Sequence, residues 1–166
     1  MPTDWASVYT ATWSDLVRFL HHKVWDADRA RDLAQEVFVR ALDQDPDDPR
    51  AWLFTVAANL ARDAARGDIR RRQHLELVKA EPQATPPDPA ETAERQEQQT
   101  MVRAALGLLT ERDREVLLLW DAGLDYDAIA QETGLQKSAI GTTLSRARKR
   151  LVEAYEQIEG RDAASG

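Results

Sequence analysis

Apolar residues recur at three- and four-residue spacing through most of the chain, and nowhere is the alternation of a half-buried strand sustained. Trp5, Val8, Tyr9, Thr12, Trp13, Leu16 and Leu20 fall on one face of a helix that ends near His21 and His22. A second helix is predicted from Asp28 to Leu42. Its Ala30, Leu33, Ala34, Val37 and Ala41 point inward, and Asp32, Gln35, Glu36 and Arg40 lie on more exposed faces. A third begins where Asp48 can cap and Pro49 can take the first helical position. It continues through Trp52, Leu53, Val56, Ala57, Leu60 and Ala64, and Gly67 is expected to stop or kink it.

The pattern then breaks. Residues 81–89, Glu-Pro-Gln-Ala-Thr-Pro-Pro-Asp-Pro, hold four prolines and no apolar periodicity, the composition of a linker. Beyond it a helix is predicted from about Thr100 to Leu109, followed by a second that Thr110 caps and Gly123 ends. From Leu124 to Leu151 a short helix turns Tyr126, Ile129, Ala130 and Thr133 inward. A break follows at Gly134-Leu135, then a helix with Ile140, Leu144, Ala147 and Leu151 inward. This is a helix-turn-helix pattern, with Gly134 suited to the positive backbone angle of a sharp turn. A plain helical hairpin would show much of the same spacing. The expected fold is therefore all-α: two small helical domains, 1–75 and 100–158, joined by an acidic proline-rich linker, 76–99, with a disordered tail at 159–166.

Composition narrows the chemistry. The chain has 166 residues and 43% hydrophobic content, enough for one ordinary domain or two small ones. With no cysteine, disulfide and thiolate chemistry are excluded. No basic leader precedes an apolar run, and no run approaches the roughly 18 apolar residues of a membrane span, so a cytoplasmic protein without membrane insertion is expected. His21, His22, Asp26 and Asp28 could be drawn as a hydrolytic metal cluster. Adjacent histidines diverge on a helix, however, and no phosphate-cradling glycine loop exists, so neither an enzyme nor a metal or other cofactor is expected.

A net charge of -7 argues globally against nucleic acid, yet its distribution does not. Basic residues gather at Arg62, Arg66 and Arg70 to Arg72, and again at Arg146, Arg148, Lys149 and Arg150, while acid fills 43–48 and 81–97. Taken alone, either basic run could be a solvated helix face.

Five segments resemble the sigma factors of bacterial RNA polymerase, and specifically the two-domain extracytoplasmic-function kind. Residues 109–119, Leu-Thr-Glu-Arg-Asp-Arg-Glu-Val-Leu-Leu-Leu, lead to Tyr126-Asp127-Ala128-Ile129-Ala130 and then to 145–151, Ser-Arg-Ala-Arg-Lys-Arg-Leu. Together they are similar to sigma region four, which reads the upstream promoter element. Residues 32–41, Asp-Leu-Ala-Gln-Glu-Val-Phe-Val-Arg-Ala, resemble the part of region two that docks on core polymerase. Residues 52–63 resemble the segment that opens and reads the downstream element.

The resemblance implies a sigma factor with core RNA polymerase (its largest-subunit coiled coil and flap) and promoter DNA as partners, and it admits an anti-sigma factor. It implies core docking by Asp32, Gln35, Glu36 and Phe38, with Phe38 also able to serve simply as core. It implies downstream-element contacts from Arg50, Asn59, Arg62 and Arg66, with an extruded base held near 43–50. Upstream contacts would come from Lys137, Ser138, Thr142, Ser145, Arg146, Arg148 and Lys149. Ala58 replaces a common arginine, Gly141 and Thr143 replace two basic residues, and Gln136 replaces a capping serine, leaving Ser138 to cap the recognition helix. The alternative is a LuxR-type helix-turn-helix transcription regulator acting without core docking, which would call for a receiver of alternating strands and helices.

Overall fold

A computed structural model describes residues 1–76 and 92–165, and among them there are only helices and connecting turns. The chain divides into two compact units, Met1–Thr85 and Pro86–Gly166. The proline-rich segment 81–89 lies outside the described residues.

The first unit packs α1 (Trp5–Val24), α2 (Ala27–Ala41) and α3 (Pro49–Glu76) against one another. Each start is capped by an aspartate accepting from a backbone amide three residues on: Asp4 from Ser7, Asp26 from Arg29 at 3.1 Å, and Asp48 from Ala51 at 3.1 Å. Leu16, Leu20, Val37, Leu53, Phe54 and Ala57 are fully buried, and each larger side chain contributes ~1.5–3 kcal/mol by leaving water. Ala30, Ala34 and Ala41 present no side-chain bulk along α2, so its neighbours approach closely. Phe19 meets Phe54 edge-on at 5.4 Å.

Two expectations change here. Phe19 is 2% exposed although the stripe drawn through Leu16 and Leu20 omitted it, because the buried face spans both the i+3 and i+4 positions. Helix α3 continues through Gly67 to Glu76. Glycine is only a weak interior breaker, and nothing at that position demands a positive φ.

The second unit comprises α4 (Ala93–Gly107), α5 (Glu111–Asp121), α6 (Tyr126–Thr133) and α7 (Lys137–Ser165). Helix α7 packs on the other three. Thr92, Thr110 and Asp125 cap α4, α5 and α6 through their side-chain oxygens. Gly134 ends α6 at φ 74°, its amide closing on the Ala130 carbonyl at 2.9 Å. Val116, Leu119, Ile129, Ile140 and Ala147 form the centre of the core.

The helix expected near Thr100 starts two turns earlier, at Ala93, where Thr92 supplies the cap. Residues 159–165, expected as an irregular tail, extend α7 as exposed helix. Ser138 does not cap α7: the helix begins at Lys137, and the Gln136 carbonyl accepts from the Ala139 amide at 2.9 Å.

Candidate nucleic-acid interface

Helices α6 and α7 meet across the Gly134 turn as the sequence predicted. Ile140, Thr143, Leu144 and Ala147 of α7 are buried. The opposite stripe, at 138, 142, 145 and 149, is exposed and carries Ser138, Thr142, Ser145 and Lys149. Four of the seven predicted upstream contacts therefore share one outward face, at a spacing that suits insertion into a major groove. Thr143, flagged as a lost basic residue, is 6% exposed and belongs to the core. Gly141 lies against Tyr126: a Cβ built there would stand 3.5 Å from the phenol oxygen, an ordinary contact.

The other three predicted contacts flank that face and are each engaged inside the unit. Lys137 pairs with Asp127 at 3.1 Å, with both side chains well exposed. Arg148 lies 5.8 Å over the Trp120 ring, which in turn packs on Tyr126. Arg146 donates to Asp113 Oδ1 at 3.2 Å, while Arg150 donates to Oδ2 at 2.7 Å. Asp113 is fully buried and the two arginines are about half exposed, so the pair screens a carboxylate that would otherwise face solvent or phosphate. Burial pushes the Asp113 carboxyl up, but the hydrogen bonds from Arg150 and Arg146 outweigh it and hold the group below its ordinary value of 3.8. Sequence spacing could not find this triad, since it joins the start of α5 to a helix more than thirty residues away.

In the first unit, Asn59, Arg62 and Arg66 are exposed on one face of α3, in line with Thr55 and Trp52. Arg62 donates to the Asn59 amide oxygen at 3.0 Å. Arg50 stands on the other side of the helix, bonded to Asp15 at 2.9 Å and lying 5.3 Å over the Phe54 ring. The face from Trp52 to Arg66 opens onto a surface depression between the end of α2 and the start of α3. Val39, Arg40, Leu42, Asp43, Gln44, Trp52 and Val56 line it. Trp52 is half-buried, so one part of its indole is available at the depression.

On α2, Asp32, Gln35 and Glu36 are exposed together, Glu36 holding Arg40 at 2.8 Å. Phe38 is 8% exposed, its ring 4.9 Å from Tyr9 and 6.1 Å from Trp13, which makes it part of the core. The apolar side chains exposed on this side are Val39 at 66% and Leu42 at 70%. The helical spacing 32, 35, 39, 42 could have found them as a continuation of the polar edge. Among the described residues no group of three His, Asp or Glu could hold a metal, and no helix is long and apolar enough to cross a membrane.

Comparison with known proteins agrees with this arrangement unit by unit. Residues 8–73 match the Sigma-70 region 2 family and residues 99–151 match Sigma-70, region 4. The RNA polymerase sigma factor YlaC of Bacillus subtilis is 30% identical over 152 residues, 87% of each chain. The ECF RNA polymerase sigma factor EcfG of Rhodopseudomonas palustris is 35% identical over 132 residues, 76% of this chain and 71% of that one. Among solved structures, the sigma factor RpoE of Bartonella quintana, in complex with the anti-sigma factor NepR, superposes with a TM-score of 0.67 at 25% identity, covering 92% of this chain and 97% of that one. A LuxR-type regulator is not favoured by any of these matches. The chain belongs to the sigma-70 family, in its extracytoplasmic-function subfamily, and is an RNA polymerase sigma factor: a transcription initiation factor that binds core polymerase and directs it to promoters.

Proposed function

We propose that this sigma factor divides its work among three surfaces. The edge Asp32, Gln35 and Glu36 docks on the coiled coil of the polymerase's largest subunit, with Val39 and Leu42 as the apolar part of the contact and Phe38 supporting it from the core. Face Trp52 to Arg66 of α3 takes the non-template strand of the downstream element, and an extruded base enters the depression beside Gln44 and Trp52. There the indole offers a stacking surface and Gln44 a hydrogen-bonding amide. The carboxylates of Asp43, Asp45, Asp47 and Asp48 crowd this loop. Their charge repels phosphate and admits a neutral base. Arg62 and Arg66 then meet the backbone further along.

Helix α7 reads the upstream element through Ser138, Thr142, Ser145 and Lys149, and Arg146, Arg148 and Lys137 contact the bordering phosphates from its flanks. Arg50 acts by bracing α3 through Asp15, one step removed from DNA. With Gly141 uncharged and Thr143 buried, few base contacts on α7 are basic, so upstream recognition relies on hydroxyls and on shape. The first unit, through α3, is assigned to docking and melting, and the second, from α4 to α7, to upstream reading. The protein works in the cytoplasm, has no catalytic activity of its own, and is held in reserve by an anti-sigma factor, as RpoE is found with NepR.

The observation that carries the downstream reading is the exposed face of α3 on which Asn59, Arg62 and Arg66 follow Trp52, a residue of the depression. Run-off transcription by core polymerase on a genomic promoter library, with and without the protein at fixed salt, tests the whole assignment. New, protein-dependent start sites are expected. Core binding without transcripts would instead indicate a decoy that has lost promoter reading.

A further inference from the structure

The loop that borders the depression is held by residues at the amino-terminal end of the chain. Thr3 donates twice to one oxygen of Asp45, from its backbone amide at 2.9 Å and from its hydroxyl at 2.6 Å. Two residues on, the Trp5 indole N–H donates to the Gln44 carbonyl at 3.1 Å, and its ring packs on Trp52 with centroids 6.0 Å apart. These contacts join positions about forty apart in sequence.

The loop itself is open to solvent. Leu42 is 70% exposed, and Asp43, Gln44, Asp45, Asp47 and Asp48 are all exposed. Within the loop the Gln44 amide donates to the Ala41 carbonyl at 2.9 Å and its side-chain amide to Asp43 at 3.2 Å, Asp48 caps α3, and the adjacent carboxylates repel one another. A loop of this kind samples many conformations unless something outside it selects one. Trp5, the first residue of α1, touches two of the residues that line the depression, through the Gln44 carbonyl and the Trp52 ring, while Thr3 holds the neighbouring Asp45.

We infer that Thr3 and Trp5 are positioning residues for downstream-element recognition. They strap the loop so that the Gln44 amide and the Trp52 face are set at fixed places when a base enters, and so govern which base is accepted without touching it. This rests on the reading of the depression as the base-holding site. The amino-terminal segment thereby becomes part of promoter specificity, although it lies outside both DNA-facing helices.

The test uses holoenzyme assembled from core polymerase and the full chain, on a promoter found by run-off transcription. All four bases are placed in turn at each non-template position of the downstream element. Open-complex formation is read by permanganate reactivity, and core affinity is measured in parallel. Trp5→Phe keeps an aromatic, though smaller, side chain and deletes the N–H, Thr3→Ala deletes the hydroxyl, and Thr3→Ser retains it.

The roughly fivefold to hundredfold preference that one read base can support is expected to fall to within about twofold in the double variant Trp5→Phe/Thr3→Ala, with core affinity unchanged. Trp5→Phe/Thr3→Ser is expected to recover part of it. Should the double variant keep the full preference while Gln44→Ala flattens it, the strap has no role and the inference is wrong. If Gln44→Ala and Trp52→Ala both leave the preference intact, the base-holding site itself is wrong, and the strap falls with it.

Discussion

Asp113 is where a single side chain decides the most. It is fully buried at the first turn of α5 and takes one hydrogen bond from Arg146 and another from Arg150. Replacing it with asparagine keeps the shape but removes the charge that both guanidiniums answer. The arginines are half exposed and can turn to water, so the expected loss is about 1–3 kcal/mol and not that of a stranded buried ion. Urea unfolding at neutral pH measures it.

The pH dependence has a definite sign. The folded-state pKa lies below the ordinary 3.8, so the carboxylate's contribution is complete above 3.8 and is lost as pH falls through the lower folded value. Asp113→Asn is therefore expected to narrow its stability deficit progressively in acid, and a deficit that stayed constant down to the acid transition would contradict the assignment. None of this triad was legible in the sequence. The run Arg146 to Arg150 announces charge, and helical spacing assigns faces, but neither names an acid on another helix. The same limit explains Arg50 and Phe38: each sits in a segment correctly placed on its helix, with its partners, Asp15 in one case and Tyr9 in the other, set by tertiary packing.

At the scale of elements, two glycines that look alike in sequence separate cleanly. Gly67 lies inside α3 with a right-handed backbone and open space where a Cβ would go. Alanine there is expected to stabilise the first unit by roughly 0.5–1 kcal/mol, because it restricts the unfolded chain without strain in the folded one. Gly134 also has open space for a Cβ, yet its φ of 74° is the left-handed cap of α6. Alanine at that site is expected to destabilise the second unit by about 1–2 kcal/mol, through the backbone alone. Paired thermal melts give opposite signs if the two environments are as described. In sequence both glycines look like breakers, and at Gly134 the new apolar stripe that begins at Ile140 marks a true helix end. At Gly67 the apolar stripe had already faded, so nothing local distinguished a helix end from an exposed helix that runs on. Helix starts were more legible, because Asp48 and Thr110 announce their caps, and the early start of α4 was missed only because Thr92 stands in a polar stretch with no apolar period to point at it.

Over the whole molecule, the deciding property is that each half closes its own core. In the first unit Leu16, Phe19, Leu20, Val37, Leu53 and Phe54 are satisfied by α1, α2 and α3, and in the second Val116, Leu119, Ile129, Ile140 and Leu144 are satisfied within α4 to α7. The sequence showed this as two apolar-periodic stretches around a proline-rich break, which is why fold class and order of regions could be read before any contact was known. Units of this size bury only about 60% of their unfolded surface, so independent folding is a demanding claim. It nevertheless follows from the packing that fragments 1–85 and 86–166, made separately, should each be helical and unfold cooperatively in urea. The far-ultraviolet spectra of the two should sum to that of the intact chain. A fragment that stays unstructured alone would mean that its core is incomplete. The helix faces assigned to core polymerase and DNA would then have to be understood as forming only when the partner is present.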